Sequence, residues 1–351
     1  MQYLEVKRKD AEKAKAFLSK HGMLAKGFMV LHSARYVYFP LTISPATNKN
    51  LTHFSKSVGA KLRERSGSAE TKRHTDDYKK EIEKILSLEE QGELAKGYDP
   101  FGNIALIELS DSLKDREQEI GDAIISGSGT IKTVLAKSGP VKGIYRTRSV
   151  RYVAGVRTYI AKYRENGCSF EFDIRRVFFS PRLSYERARI SKLVKDKECV
   201  AVPFAGVGPF AIEIAKFHQN SKVIAIELNP EAFRYMLRNI ELNRVKNVTA
   251  FKGDFVKLAG MHARFADRVV MPMPKTSLDF IGAACIIAKK HAAFHIYTFC
   301  DSEQVESKID EIKSRFEQNG RSFKLVNLRT VRPYSKNEIE IVVDAEATKI
   351  V

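Results

Sequence analysis

The chain has 351 residues, of which 44% are hydrophobic and 29% charged, enough for a packed core and for two or three domains. Its 60 Lys and Arg outnumber its 42 Asp and Glu, and the net charge of +18 favours a polyanionic partner because neutralised phosphates release counterions. Its four cysteines lie far apart, which argues against a zinc site or a disulfide framework. We find no signal-peptide pattern and no apolar run of bilayer length, and therefore expect a cytoplasmic protein without a metal.

Residues 1–55 predict a small, basic α+β domain. Apolar residues recur with helical spacing at 9–21, and residues 35–41 alternate like a strand. Lysines and an arginine concentrate between residues 7 and 20. They indicate either a solvated helix face or an accessory domain that contacts RNA, and the residues leave both interpretations open.

Residues 56–98 predict a charged linker followed by a helical insertion. From residue 45 to about 76 the chain is polar, with Ser-Gly-Ser and basic runs, which is linker composition. Residues 77–94 have a helical and strongly charged pattern. No function is assigned to this insertion.

Residues 99–167 predict an α+β middle domain that binds RNA. A strand at 103–109, a helix at 113–126 and a strand at 130–136 precede two segments rich in Arg and Tyr, at 145–152 and 157–164. Basic residues interleaved with aromatic ones suit phosphate contacts and base stacking. The competing interpretation is a basic hairpin with tyrosines on its core side.

Residues 168–351 predict an α/β domain in which strands and helices alternate. Strands are expected near 200–204, 222–227, 247–252, 267–271 and 292–299, and a helix at 302–318 precedes two last strands near 322–331 and 338–345. This order fits a doubly wound sheet with an antiparallel edge.

A glycine turn stands between the first of these strands and the next helix. Gly206 and Gly208 form a Gly-x-Gly turn, and Glu227 ends the following strand. Such a turn aims backbone N–H groups at a ligand, and an acid at that strand end can hold a ribose hydroxyl. The third glycine of a dinucleotide site is replaced by Ala211, and the Gly-Lys-Ser/Thr of a P-loop is absent. The remaining common fold is a class I (Rossmann-like) S-adenosylmethionine-dependent methyltransferase domain.

In that fold an acid after the third strand faces the adenine, and a further motif follows the fourth strand. Asp254 occupies the first place and residues 271–275 occupy the second. We therefore predict that S-adenosylmethionine is the cofactor.

Four motifs make the assignment narrower. The segments 179–190, 203–210 and 227–231, with Asn239-x-x-x-Asn243, resemble the archaeal tRNA (guanine-37-N1)-methyltransferase family. The similarity extends back through 130–137 and covers most of the chain outside residues 57–98. It implies a tRNA methyltransferase whose N-terminal domain docks on the outer corner of the tRNA. It further implies that the middle domain works with the catalytic domain on the anticodon loop. We expect a monomer, although the sequence does not determine the oligomeric state.

The resemblance also implies catalytic roles. Guanine N1 carries a proton at neutral pH, so its methylation needs a base, and the family's glutamate corresponds to Glu186. Arg182 lies four residues earlier, and on a helix it would hold Glu186 in place. Arg146 is expected to contact guanine O6, where negative charge develops, and Arg148 is the competing candidate.

Further site residues follow from the same resemblance. Cofactor binding is assigned to Phe178, Phe204, Ala205, Gly206, Gly208, Glu227, Leu228, Asp254 and Pro272, and tRNA binding to Arg148, Arg151, Pro274 and Lys275. At Phe178 the family often has a tyrosine, so this chain lacks that hydroxyl.

Two positions depart from the family pattern. Val202-Pro203 occupies a region where the family usually carries an aspartate, which weakens any polar contact from the first strand. The usual Asn-Leu-Pro-Lys motif begins here with Pro272, which has neither a side-chain amide nor a backbone N–H. One interpretation is that a site without this amide also accepts the larger tricyclic base 4-demethylwyosine and methylates its C7. The other is that the substitution leaves the specificity unchanged.

Two alternative functions stay open. A related enzyme of the wyosine pathway transfers the aminocarboxypropyl group of S-adenosylmethionine, but the retention of Glu186 and Pro274-Lys275 favours methyl transfer. A tRNA-binding protein without catalysis is the second alternative. The retained Glu227, Asp254 and both glycines argue against it.

Overall fold

The computed structural model describes residues 2–7, 10–25, 31–32, 36–42, 48–64, 77–94, 97–139, 143–335 and 337–350. The chain divides into two compact units, Met1–Asp76 and Asp77–Val351, and each is described by itself. No helix of the described residues combines the length and the apolar character that crossing a membrane requires.

The first unit is a four-stranded sheet with two helices. Its elements are β1 (Gln2–Lys7), α1 (Ala11–Lys20), β2 (Leu31–His32), β3 (Tyr36–Pro40), α2 (Lys49–Ser57) and β4 (Lys61–Glu64). The strand order is β2-β3-β1-β4, with β1 antiparallel to both of its neighbours. Leu4, Leu18 and Phe39 lie in its core.

The linker predicted from residue 45 to about 76 is wrong for residues 48–64, which form α2 and β4 of the first unit. The side chain of Asn48 caps α2 by accepting from Leu51 N at 3.1 Å, and Leu51 is fully buried. Pairing of β4 with β1 completes the sheet. Such a short polar segment is stabilised by its distant partners, which local composition does not reveal. Residues 65–76, also predicted as linker, lie outside the described residues.

The second unit begins with two helices and a small sheet. The elements are α3 (Asp77–Ile85), α4 (Leu88–Glu93), β5 (Tyr98–Phe101), β6 (Ile104–Ile107), α5 (Glu117–Ser126), β7 (Thr133–Lys137) and β8 (Val150–Gly155), in strand order β5-β6-β7-β8. The helical pattern predicted at 77–94 is confirmed. Ile82 and Leu86 pack into the core that α5 shares with this sheet, so the insertion is integral to the unit.

A hairpin connects this small sheet to a larger sheet of seven strands. β9 (Ile160–Glu165) and β10 (Cys168–Asp173) pair antiparallel. Phe170 and Phe172 of β10 pack with Phe101 of β5 and with Ile212 and Tyr235 from helices that cover the larger sheet. This shared core fixes the small sheet beside the larger one.

The larger sheet has seven strands. Its strands are β11 (Cys199–Pro203), β12 (Lys222–Glu227), β13 (Val248–Lys252), β14 (Ala266–Met271), β15 (Ala288–Asp301), β16 (Arg321–Pro333) and β17 (Glu338–Lys349). Its helices are α6 (Ser184–Leu193), α7 (Pro209–Phe217), α8 (Pro230–Asn243), α9 (Phe255–Met261), α10 (Ile281–Ile287) and α11 (Val305–Gln318).

The strand order is β13-β12-β11-β14-β15-β17-β16, parallel up to β15 and antiparallel at β17 and β16. The predicted doubly wound sheet with an antiparallel edge is confirmed. From β11 the chain adds strands first on one side, as β12 and β13, and then on the other side, beginning with β14. A ligand crevice is expected there, outside the carboxyl ends of these strands.

Candidate active site

A cavity of about 430 Å³ lies at the carboxyl ends of β11, β12 and β14. Its wall includes ten of the residues singled out from the sequence: Arg146, Phe178, Phe204, Ala205, Gly206, Glu227, Leu228, Asp254, Pro272 and Lys275. The segments 143–146 and 178–180 close its other side. The crevice expected from the sheet topology and the residues singled out by the motifs therefore coincide in this cavity.

The glycine turn shapes the floor of this cavity. Phe204, Gly206 and Gly208 all have positive φ, at 57°, 60° and 89°. A Cβ at Gly208 would lie 2.9 Å from the side chain of Ile212, so only glycine lets α7 begin so close to its own packing partners. Gly208 is therefore needed for the packing of the turn against α7. Gly206 lines the cavity, and Gly208 does not.

Glu227 joins two loops at the cavity wall. Its carboxylate accepts from Gly206 N and from Asn229 N, each at 2.7 Å. Burial raises the pKa of Glu227, and these backbone N–H groups oppose the shift. An acid held in this way has free lone pairs to accept hydrogen bonds from ribose hydroxyls.

The cavity also combines aromatic side chains with a second acid. The Phe204 ring lies 5.5 Å from Phe255 and 4.8 Å from Phe280. Asp254 caps α9 by accepting from Lys257 N at 3.2 Å and also lines the cavity. An apolar slot with a carboxylate at its edge fits a flat adenine ring, so the side chains present fit a nucleoside-containing cofactor.

A second cavity of about 1060 Å³ adjoins the first. Gly143, Arg146, Phe178, Ser180 and Lys275 line both of them. Its cationic residues are Lys114, Lys137, Arg146, Arg148, Arg151, Arg182, Lys275 and Arg332. Such a concentration of positive charge suits an anionic partner.

The two candidate O6 arginines differ in what they bind. Arg148 donates from both terminal nitrogens to the Phe179 carbonyl oxygen at 3.2 Å, and burial lowers its pKa to about 10. Arg146 has its guanidinium 4.5 Å from the centre of the Phe178 ring and faces both cavities. Burial lowers the pKa of Arg146 as well, with Tyr334 and Glu340 opposing the shift. Arg148 is engaged in holding a loop, and Arg146 is free to meet a ligand.

Glu186 lies behind the cavity wall and lines neither cavity. Its Oε2 accepts from Tyr297 Oη at 3.1 Å and from Arg189 Nε at 2.9 Å. Arg329 Nε lies 3.2 Å from Oε1, but the angles do not make a hydrogen bond. The contact between Arg329 and Oε1 is therefore electrostatic.

The predicted pairing of Arg182 with Glu186 is wrong. Arg182 donates to Asp99 of β5 at 2.6 Å, and its side chain is 63% exposed. It lies in the 3-10 turn Pro181–Leu183 that precedes α6, so the four-residue spacing of an α-helix does not apply. The side chain points into the larger cavity instead.

A buried chain of charges, which the sequence did not reveal, supports Glu186. Arg189 donates to Asp344 at 2.6 Å, and His295 Nδ1 donates to the same carboxylate at 2.6 Å. Burial would raise the pKa of Asp344, but the hydrogen bonds from His295, Arg189 and Asn327 hold it well below its usual range. The partners come from α6, β15, β16 and β17, so no local motif announces them.

The remaining predicted residues occupy less central places. Arg151 lines the larger cavity and pairs with Glu117 of α5. Lys275 lines both cavities, whereas Pro274 lines neither. Sequence reasoning missed Arg332 and Tyr334, which line the larger cavity. Within the described ranges, no group of three or more His, Cys, Asp or Glu side chains has the arrangement of a metal site.

Comparisons with known proteins agree on one family. The profile of the "TRM5/TYW2 methyltransferase domain" matches residues 161–326, and that of the "TYW2 N-terminal domain" matches residues 78–158. The tRNA (guanine(37)-N(1))-methyltransferase Trm5b of Pyrococcus abyssi is 34% identical over 252 residues, which cover 72% of this chain and 74% of the relative.

Two further relatives bear on the substrate. The tRNA (guanine(37)-N(1))/4-demethylwyosine(37)-methyltransferase Taw22 of Nanoarchaeum equitans is 29% identical over 267 residues, which cover 61% of this chain and 88% of the relative. The solved complex of aTrm5 with tRNALeu superimposes with a TM-score of 0.68 at 26% identity, covering 99% of both chains.

Proposed function

The chain belongs to the TRM5/TYW2 family of methyltransferases, and on that premise we propose that it methylates N1 of guanosine 37 in tRNA with S-adenosylmethionine. One observation carries the proposal. A cavity that fits a nucleoside adjoins a larger basic cavity, and Arg146, Phe178 and Lys275 line both. A methyl donor and an RNA base can therefore meet at these three side chains.

The cofactor would be held by groups from three strand ends. Glu227 would accept from the ribose hydroxyls, and Asp254 with the Phe204 and Phe280 rings would hold the adenine. When bound, S-adenosylmethionine supplies an electrophilic methyl group on its sulfonium sulfur. Gly206 leaves space for the cofactor because a Cβ there would meet only Phe178 O, at 3.8 Å.

Arg146 would stabilise the guanine as N1 loses its proton. Negative charge then spreads to O6, and a guanidinium held in place donates to such an oxygen without reorganising. The contact with the Phe178 ring provides that fixed orientation. Arg148 would serve the same end indirectly by holding the Phe179 carbonyl.

Glu186 remains the proposed base. Oε2 accepts hydrogen bonds from Tyr297 and Arg189. Oε1 has only the electrostatic contact with Arg329 and is the oxygen that would take the N1 proton. A base must come within hydrogen-bond reach of that proton, directly or through one water. Two side chains link Glu186 to the cavity: Phe210 lines the cavity, its ring packs on Tyr297 at 5.8 Å, and Tyr297 binds Glu186. The proposed role therefore requires these side chains to move when tRNA binds.

A second candidate activity is methylation of 4-demethylwyosine at C7. Pro272 lines the cofactor cavity where the family motif usually begins with asparagine, and it offers no amide to orient a guanine edge. The similarity to Taw22, whose name includes both substrates, supports this proposal.

We further propose how the chain engages tRNA. The basic first domain would dock on the outer corner, and residues 99–167 with the catalytic domain would bind the anticodon loop. The enzyme would act in the cytoplasm as a monomer.

Labelled methyl transfer tests the proposed activity. Two tRNA transcripts that differ only in G37 or A37 are incubated with the full chain and S-adenosylmethionine labelled in its methyl group. Incorporation into the G37 transcript alone supports the proposal. Equal incorporation, or none in either transcript, contradicts it.

A further inference from the structure

The hairpin formed by β16 and β17 places an exposed aromatic residue beside the basic cavity. Tyr334 directly follows β16, lines the larger cavity and is 46% exposed. It has no role in the cofactor site or in the proton transfer derived above. An exposed tyrosine among cationic groups is a surface on which a nucleobase can stack.

The Tyr334 ring is held in a fixed orientation. It packs on Phe299 of β15 with ring centres 4.2 Å apart and planes tilted by 37°. Its backbone N–H donates to Glu338 O at 2.8 Å, which closes the turn of the hairpin. A ring supported on one side and exposed on the other needs little ordering when a ligand binds.

Arg332 brings a guanidinium to the cavity that Tyr334 lines. Its Nε donates to Glu340 Oε2 at 2.6 Å, and Glu340 is buried, which fixes the side chain. Arg146 lines the same cavity. The cavity therefore combines an exposed ring with guanidinium groups, which together can bind the base and the phosphate of one nucleotide.

We propose that Tyr334 is a stacking platform for the nucleobase adjacent to the methylated nucleotide, with the terminal N–H groups of Arg332 donating to a neighbouring phosphate. This inference rests on the proposed function, because a base drawn into the cofactor cavity leaves its neighbour without a stacking partner. Tyr334 replaces that lost partner at the mouth of the site.

Fluorescence of 2-aminopurine tests the platform. Two tRNA transcripts carry this base analogue at position 36 or at position 38, and its emission falls when it stacks. The variant Tyr334→Phe keeps a flat ring, whereas Tyr334→Leu keeps apolar contact with Phe299 and removes the ring. Phe217→Ala is the control, because Phe217 is 57% exposed and lines neither cavity.

We expect the wild type, Tyr334→Phe and Phe217→Ala to quench emission at one of the two positions, and Tyr334→Leu to lose that quenching. The KM for tRNA should rise roughly tenfold in Tyr334→Leu, in line with one lost stacking contact. Equal quenching by Tyr334→Leu and the wild type, or none by the wild type at either position, overturns the platform. Because fluorescence reports binding alone, a wild type that quenches but transfers no methyl group disproves the proposed function and leaves the platform standing.

Discussion

The guanidinium of Arg148 donates to the carbonyl oxygen of Phe179 through both terminal nitrogens, each at 3.2 Å. This clamp ties the loop before β8 to the segment that separates the two cavities. Both guanidinium groups lie over the Phe178 ring, but Arg146, only two residues earlier, makes no such bond. The sequence favoured Arg146 over Arg148 for the contact with the substrate, and these contacts support the proposal that Arg148 holds a loop whereas Arg146 meets the ligand.

Arg146→Lys and Arg148→Lys should therefore fail differently. We expect Arg146→Lys to lower kcat by roughly 10²-fold, as for one lost donor to a developing oxyanion, with normal cofactor affinity and thermal stability. Arg148→Lys should lower the melting temperature and weaken cofactor binding, because a lysine cannot replace both hydrogen bonds. Steady-state kinetics, calorimetry with S-adenosylmethionine and thermal unfolding separate the two patterns. If instead Arg148→Lys lowered kcat and Arg146→Lys lowered the melting temperature, Arg148 would be the residue that contacts the substrate.

Glu186→Gln tests the proposed base. The amide keeps an oxygen for Tyr297 and Arg189 but cannot take the N1 proton, so the methylation rate should fall by roughly 10²–10⁴. Cofactor affinity should stay within about twofold of the wild type, since Glu186 does not line the cofactor cavity. Single-turnover kinetics at saturating tRNA is the measurement. An unchanged rate would leave Glu186 as a purely structural partner of Arg189 and Arg329.

Glu213 should make stability depend on pH. Burial raises its pKa to about 7 from an ordinary value of 4.5, against the opposing hydrogen bond from Asn166. Folding then favours the protonated form, so unfolding free energy should fall as pH rises from 4.5 to 7 and level off above that. Glu213→Gln should reduce this decline, with the part due to Glu227 remaining, and be more stable at pH 8 by up to about 3 kcal/mol.

Urea unfolding at pH 5 and pH 8 checks the effect of Glu213. Glu306→Gln, which changes an exposed glutamate on α11, serves as the control and should follow the wild type. Equal loss of stability between pH 5 and pH 8 in the wild type and in Glu213→Gln would assign the decline to another group.

Pro272→Asn tests the account of substrate choice. Asparagine restores an amide that can hydrogen-bond a guanine edge, so transfer to G37 should rise relative to transfer to 4-demethylwyosine. A shift of roughly tenfold is expected, the effect of about one hydrogen bond. Competition between the two tRNA substrates gives the ratio directly. Complete absence of transfer to the tricyclic base by the wild type would disprove the second activity.

The fold was predictable because its signals are local. Buried parallel strands are continuous apolar runs, and the turn from Gly206 to Gly208 with Glu227 marks the crevice at the strand ends. Short polar elements were not predictable in this way. Strand β4 is fixed by pairing with β1, and α2 by the burial of Leu51.

The candidate site was predictable in its cofactor half and less so in its charge pairs. Helical spacing suggested Arg182 as the partner of Glu186, yet Asp99, 83 positions away, binds Arg182. Arg189 binds Asp344 across 155 positions. Pairs of this kind depend on which surfaces the tertiary fold brings together, and a single sequence does not encode them in any local pattern.

Nucleoside mass spectrometry of position 37 tests the central proposal most directly. A tRNA transcript with G37 is incubated with the full chain and S-adenosylmethionine, and both the modified nucleoside and the cofactor by-product are identified. The account predicts 1-methylguanosine at position 37 together with S-adenosylhomocysteine. An unmodified guanosine, or an aminocarboxypropyl adduct accompanied by methylthioadenosine, would contradict it.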